Sequence, residues 1–218
     1  MGAELFPVVF TTGWASGVNA YLVVLILGLA ERLFTVDGIP DALANPWVLL
    51  ASALLFLLEA FADKIPYLDS AWDSVHTVIR PVIGALLGYL FGHEHSSLDA
   101  AFMATTGGVT ALAAHLVKAG ARTAVNTSPE PVSNIVVSTS EDVTVAGVIG
   151  LAFLNPWVAA VVAALLLVIG AVVVVAVLRR LRAVKRRYDQ WGEDVGIAQP
   201  RRRRRGGGGH DDRGPPLD

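Results

Sequence analysis

The chain has 218 residues, 54 % of them hydrophobic, and a mean hydropathy of +0.56, too apolar for an ordinary soluble domain and about right for one compact bundle of membrane helices. It has no cysteine, which excludes disulfides, thiolate metal sites and cysteine nucleophiles. The formal net charge of −2 hides a split: residues before Arg179 hold 5 of the 17 Lys/Arg and 13 of the 19 Asp/Glu, so the body carries −8 and the remainder +6.

Residues 1–12 lack a basic start and a small-residue cleavage site, so they read as an N-terminal segment and not as a signal peptide. The first span is expected over Gly13 to Leu33, with Gly13, Ser16 and Gly17 letting another helix approach closely. Gly38 and Pro40 break the chain. Asn45, Pro46 and Trp47 then read as helix cap, first-turn proline and interfacial aromatic, and a second span runs from Val48 to about Ala62.

Ser70 and Asp73 resemble a capping box, so a third helix is expected to start there, kink at Pro81 and end near Phe91. His93, Glu94 and His95 lack a further ligand and read as a polar turn rather than a metal site. A fourth span covers Ala100 to Ala121. Thr123 to Asp142 is dense in Ser, Thr, Asn and Pro and is expected to be an irregular loop.

From Val143 to Leu178 there is no charged residue over 36 positions, too long for one span and short for two. Asn155, Pro156 and Trp157 divide it into a short, half-crossing fifth helix and a full sixth span from Val158. The expected architecture is therefore an all-α transmembrane bundle of five to six spans, covering residues 13–178. Residues 179–218, rich in Arg and Gly, are expected to be a disordered cytoplasmic tail whose arginines touch anionic lipid headgroups without reading nucleic acid.

Two echoes hint at a weak internal repeat. Gly13 to Leu22 resembles Gly107 to Leu116, and the Asn-Pro-Trp triplet recurs at 45 and 155, though the two alignments differ in spacing.

The chemistry concentrates where ionisable side chains approach the apolar segments. Asp69, Asp73, His76 and Arg80 share one helical face at offsets of four, seven and eleven; His115, Lys118, Arg122 and Asn126 do the same at three, seven and eleven. With Glu59, Asp63, Lys64, Glu130, Glu141 and Asp142 they are expected to form a polar pocket between the second, third and fourth helices. Such residues within a membrane are costly unless paired or functional. Three chemistries compete: a proton or cation path through the carboxylates, an anion or lipid-phosphate site at the cations, and divalent metal binding. Hydrolysis fits poorly, since no nucleophile elbow, metalloprotease or phosphate-loop motif is present.

Several of these residues fall into a pattern that resembles a bacterial membrane family known as domain of unknown function 4126. The resemblance rests on Gly13, Ser16, Gly17, Asn19 and Tyr21, on Ala62 to Pro66 with Asp69, Asp73, His76 and Arg80, and on His115, Lys118, Arg122, Glu141 and Asp142. It implies an integral inner-membrane helical protein and supplies no activity. The reading that follows is a small ion or solute transporter or channel-like protein, without cofactor or bound metal, not an enzyme, sitting in the lipid bilayer as a homo-oligomer, its C-terminus cytoplasmic. A membrane scaffold with structural ion pairs, or a lipid-phosphate binder, is the alternative.

Overall fold

The computed structural model describes residues 2–65, 67–125 and 131–194. Asn126, Glu130 and the Arg/Gly-rich end lie outside the described residues. What is described contains six α-helices and no strand: α1 (Gly2–Phe34), α2 (Pro46–Ala62), α3 (Leu68–Gly92), α4 (Ser97–Val125), α5 (Pro131–Leu154) and α6 (Pro156–Asp194), with a 3-10 turn at Asp41–Ala44. All but α2 are long and apolar enough to cross a membrane. Described residues to Leu178 form one compact unit; the stretch from Arg179 to Asp194, expected as part of a disordered tail, is helical as the continuation of α6.

The element expected as a single first span is bent. At Asn19 the backbone leaves helical geometry (φ −148, ψ 95), and its side-chain oxygen accepts from the Leu22 amide at 3.0 Å, capping a new helix as an N-cap asparagine does. A straight α1 would hold Leu5 and Leu27 about 33 Å apart, yet both line one cavity. The arms can be traced. The first runs alongside α4, with Phe6 stacked near Phe102, Gly13 against Gly107 and Thr110, and Gly17 against Ala111 and Ala114. The second returns alongside α3, from Tyr21 beside His76 to Glu31, which shares a cavity with Leu90 and Phe91. Both ends of α1 therefore lie at one end of the bundle and Asn19 at the other.

Other boundaries depart from expectation for identifiable reasons. Helix α3 begins at Leu68, after Tyr67 at positive φ, and continues through Pro81; the backbone break falls in α1 instead. Helix α5 is 24 residues long, not a short half-helix. It starts at Pro131, a residue suited to a first helical turn, and two of its hydroxyls donate to carbonyls about one turn back, Ser140 to Val137 and Thr144 to Ser140, which helical geometry accommodates. The short apolar helix is α2, with 17 residues. The two Asn-Pro-Trp starts behave as read: the Asn45 and Asn155 side chains accept from the amides of Trp47 and Val158.

Glycines set the tightest contact. Gly84, Gly88 and Gly92 recur every fourth residue on α3 and meet the backbone of α4 at Gly107, Met103 and Asp99, where any Cβ would overlap a carbonyl oxygen. The echo between Gly13 to Leu22 and Gly107 to Leu116 has the same origin, since those two stretches lie against each other in register. In α1, 72 % of the most apolar stretch is buried inside the protein, against 6 % in α6, so α1 forms the centre and α6 the periphery.

Two outcomes are expected. Spin labels on Phe6→Cys and Leu33→Cys should lie well below the roughly 40 Å of a straight helix; a distance near that value would disprove the fold-back. Gly107→Val should lower stability by about 1–3 kcal/mol or more through overpacking, read by thermal unfolding in detergent.

Candidate functional site

The bend leaves helix-end carbonyls in the bundle interior, where unpaired polar groups cost several kcal/mol. Two cations answer them. Lys118 Nζ donates to the Val18 carbonyl at 2.9 Å and Arg80 Nη1 reaches the Gly17 carbonyl at 3.4 Å, placing positive charge at the negative end of the first arm.

These cations need counter-charges, and α2, α3 and α5 supply them. Arg80 Nη2 pairs with Glu59 Oε1 at 2.6 Å, while its Nη1 lies 3.1 Å from Asp73 Oδ1 and 2.8 Å from His115 Nδ1. Lys118 Nζ pairs with Asp63 at 2.9 Å, Glu141 at 3.4 Å and Glu59 at 3.6 Å. Arg122 Nη2 bonds Asp63 at 2.9 Å and Glu141 at 2.8 Å, and its Nη1 bonds the Asp63 backbone carbonyl at 2.9 Å and approaches Asp69 at 3.5 Å. Asp63 sits just past the end of α2, so one carboxylate and its own carbonyl tie α2 to α4.

Polar residues fringe this core. Asn19 donates to Asp142 at 2.8 Å, so the residue that breaks α1 also docks α5. Tyr21 hydroxyl lies 3.0 Å from His76 Nε2, whose ring stacks on Trp72 and holds the Trp72 carbonyl through Nδ1. Thr77 lies 3.0 Å from His115 Nε2, and Asn134 approaches Asp69 at 3.5 Å.

Three cations thus meet five carboxylates, Glu59, Asp63, Asp69, Asp73 and Glu141, with Asp142 at the fringe on Asn19. Asp73 is 3 % exposed, and neither of its carboxylate oxygens accepts a hydrogen bond despite the Arg80 contact; Glu59 Oε2 is buried without one as well. Buried carboxylates in excess of their cations favour holding a proton or a cation. Among the described residues, no three His, Asp or Glu converge closely enough to hold a metal ion.

Of the residues singled out in the sequence, Glu59, Asp63, Asp69, Asp73, His76, Arg80, His115, Lys118, Arg122, Glu141 and Asp142 come together here. Lys64 does not: its ammonium turns back onto the Ala60 carbonyl of its own helix at 2.8 Å. The arrangement is an ion-pair network to which α1 and α5 contribute along with α2, α3 and α4, and a cavity of about 190 Å³ borders it at Val18, Lys118 and Glu141. Asn19, Tyr21, Thr77 and Asn134 were not singled out as site residues. Asn19 and Tyr21 stand in the Gly13 to Tyr21 stretch, and their polarity inside an otherwise apolar helix was the available signal.

Burial would push the Asp63 carboxyl up, but Lys118 and Arg122 outweigh it and hold the group below the ordinary carboxylate range. A depressed value means that this contribution to stability is present above the unfolded value of about 3.9 and is lost as pH falls through the lower folded value. Asp63→Asn should therefore give a shallower acid limb in thermal unfolding measured against pH. It should also cost about 3–5 kcal/mol near neutrality, because Lys118 and Arg122 lose a shared partner. An acid limb identical to wild type would contradict the assignment.

No curated protein and no solved structure matches the chain. The family described as domain of unknown function, DUF4126, matches residues 7–176, which include every helix that builds the cluster. The chain belongs to that family.

Proposed function

We propose that the protein is an ion-handling integral membrane protein in which the buried cluster takes up a proton, with Asp73 as the accepting group. The carrying observation is the carboxylate excess around Arg80, Lys118 and Arg122, with Asp73 buried and neither oxygen hydrogen-bonded. One added proton would relieve repulsion among the acids without disturbing Glu59–Arg80 or Asp63–Lys118. The broken helix supports the reading, because interrupted helices in a bilayer are tolerated where their ends line an ion site. His76, Tyr21, His115 and Thr77 offer a hydrogen-bonded fringe along which a proton can move.

For orientation, α6 follows α4 through Val117 beside Gly170 and Gly120 beside Val174, so Leu178 lies toward the Arg122 end. The basic run from Arg179 then favours that end facing the cytoplasm, with the protein in a bacterial inner membrane, as the positive-inside rule prefers. The sequence carries no nucleophile or nucleotide motif, and we read the protein as a carrier or channel without enzymatic chemistry.

A second reading rests on its own observation. Lys118 alone engages Val18, Asp63, Glu59 and Glu141, which suits a lock that holds four helices together in a non-transporting scaffold.

The test is proton flux into liposomes holding the full chain, driven by a potassium diffusion potential and followed with an internal pH dye. Asp73→Asn is expected to abolish flux while the protein remains monodisperse and melts near the wild-type temperature, since the variant removes one charge from an acid-rich cluster in which Arg80 keeps Glu59 as its partner. Flux retained by folded Asp73→Asn, or absent from the wild type, would overturn the proposal and leave the scaffold reading.

A further inference from the structure

At the other end of the bundle, the arms of α1 enclose a cavity of about 540 Å³. It joins a second of about 290 Å³, the two sharing Leu5, Phe91 and the 36–39 loop. The main cavity is apolar in depth, walled by Leu5, Val8, Leu27, Phe91, Ile149 and Phe153. Its mouth is acidic. Asp37 and Glu94 border both cavities, and Glu31 lines the smaller one with a carboxylate oxygen that is buried and accepts no hydrogen bond.

Among the described residues no lysine or arginine pairs with these carboxylates, and the other ionisable group bordering both cavities is His95. Every ion pair among the described residues lies in the Arg80–Lys118–Arg122 cluster, and the nearby Arg32 bonds the Ala44 carbonyl instead. Glu31 also stands in the last turn of α1, where the helix dipole disfavours an anion. The loop that closes the mouth is held in left-handed geometry at Gly38 (φ 87) and, less commonly for a residue with a side chain, at Thr35 (φ 49). An apolar chamber with aromatic walls and a rim of carboxylates, one Glu31 oxygen among them buried without a hydrogen bond, matches an ammonium group on a compact apolar body, the ammonium near Glu31 and the body against Phe91 and Phe153.

We propose that this double cavity binds a monovalent organic cation of aryl-alkyl ammonium type. The inference stands apart from proton uptake at Asp73, which lies at the far end of the bundle.

The experiment is calorimetric titration of the full chain in lipid nanodiscs with phenylethylammonium, phenylethanol and phenylpropanoate, corrected against empty nanodiscs. The cation is expected to bind at least tenfold more tightly than the alcohol, and the carboxylate not detectably. Glu31→Gln should remove the preference for the cation over the alcohol while leaving alcohol binding in place. Val8→Phe, which fills the chamber, should weaken cation and alcohol together. Equal binding of cation and alcohol to the wild type, a preference that survives in folded Glu31→Gln, or cation binding unchanged by Val8→Phe would each overturn the assignment.

Discussion

A helix broken inside an apolar bundle must find partners for the backbone groups that the break releases, and this constraint accounts for the arrangement around Asn19. The amides opening the second arm are met partly by Asn19 itself, through Leu22. The carbonyls closing the first arm, Gly17 and Val18, are met by Arg80 and Lys118. Two buried cations then require buried anions, which Glu59, Asp63, Asp73 and Glu141 provide from three other helices. The bend thus carries with it the ion-pair network, and the network in turn fixes where α2, α3, α4 and α5 end relative to one another.

The glycine contacts are the other half of the same geometry. For Lys118 to reach the Val18 carbonyl, the first arm of α1 must lie almost on the backbone of α4, and Gly13 and Gly17 remove the side chains that would hold it away. For Arg80 and His115 to meet at 2.8 Å, α3 must approach α4 as closely, which Gly84, Gly88 and Gly107 allow. Steric absence on one side of each helix makes the electrostatic contact on the other side possible. Neither works alone: close packing of bare backbones in a membrane gains little from the hydrophobic effect, and buried charges held even slightly apart no longer offset their desolvation.

The helical faces of the site were legible because period 3.6 survives any tertiary arrangement: offsets of four, seven and eleven from Asp69 and three and seven from His115 put those side chains on single faces, and the structure turns those faces toward one another. The bend was not legible. Hydropathy runs unbroken from Gly13 to Leu33, with no proline or charge at the apex, and one asparagine among small residues looks the same whether it caps a new helix or sits mid-span. The start of α5 was hidden for the opposite reason. Serine, threonine, asparagine and proline imply a loop by composition, yet the backbone from Pro131 to Leu154 is helical and Ser140 turns its hydroxyl back onto the Val137 carbonyl. Lys64 marks a further limit, since proximity in sequence to Asp63 says nothing about which way a long side chain turns at a helix end.

The fold-back also divides the molecule into two unlike ends. At the apex, the arms meet Arg80, Lys118 and Asp142, and a smaller cavity of about 190 Å³ borders Lys118 and Glu141. At the open end, the arms part around a chamber that Phe91, Ile149 and Phe153 wall but do not fill. A straight α1 would create neither, because a continuous helix exposes no carbonyls for Lys118 to bind and leaves no second arm to wall a cavity. Both sites therefore depend on the same backbone departure at Asn19. An asparagine is well suited to that position, having an oxygen to cap Leu22 and an amide to hold Asp142, whereas leucine there would lose both bonds.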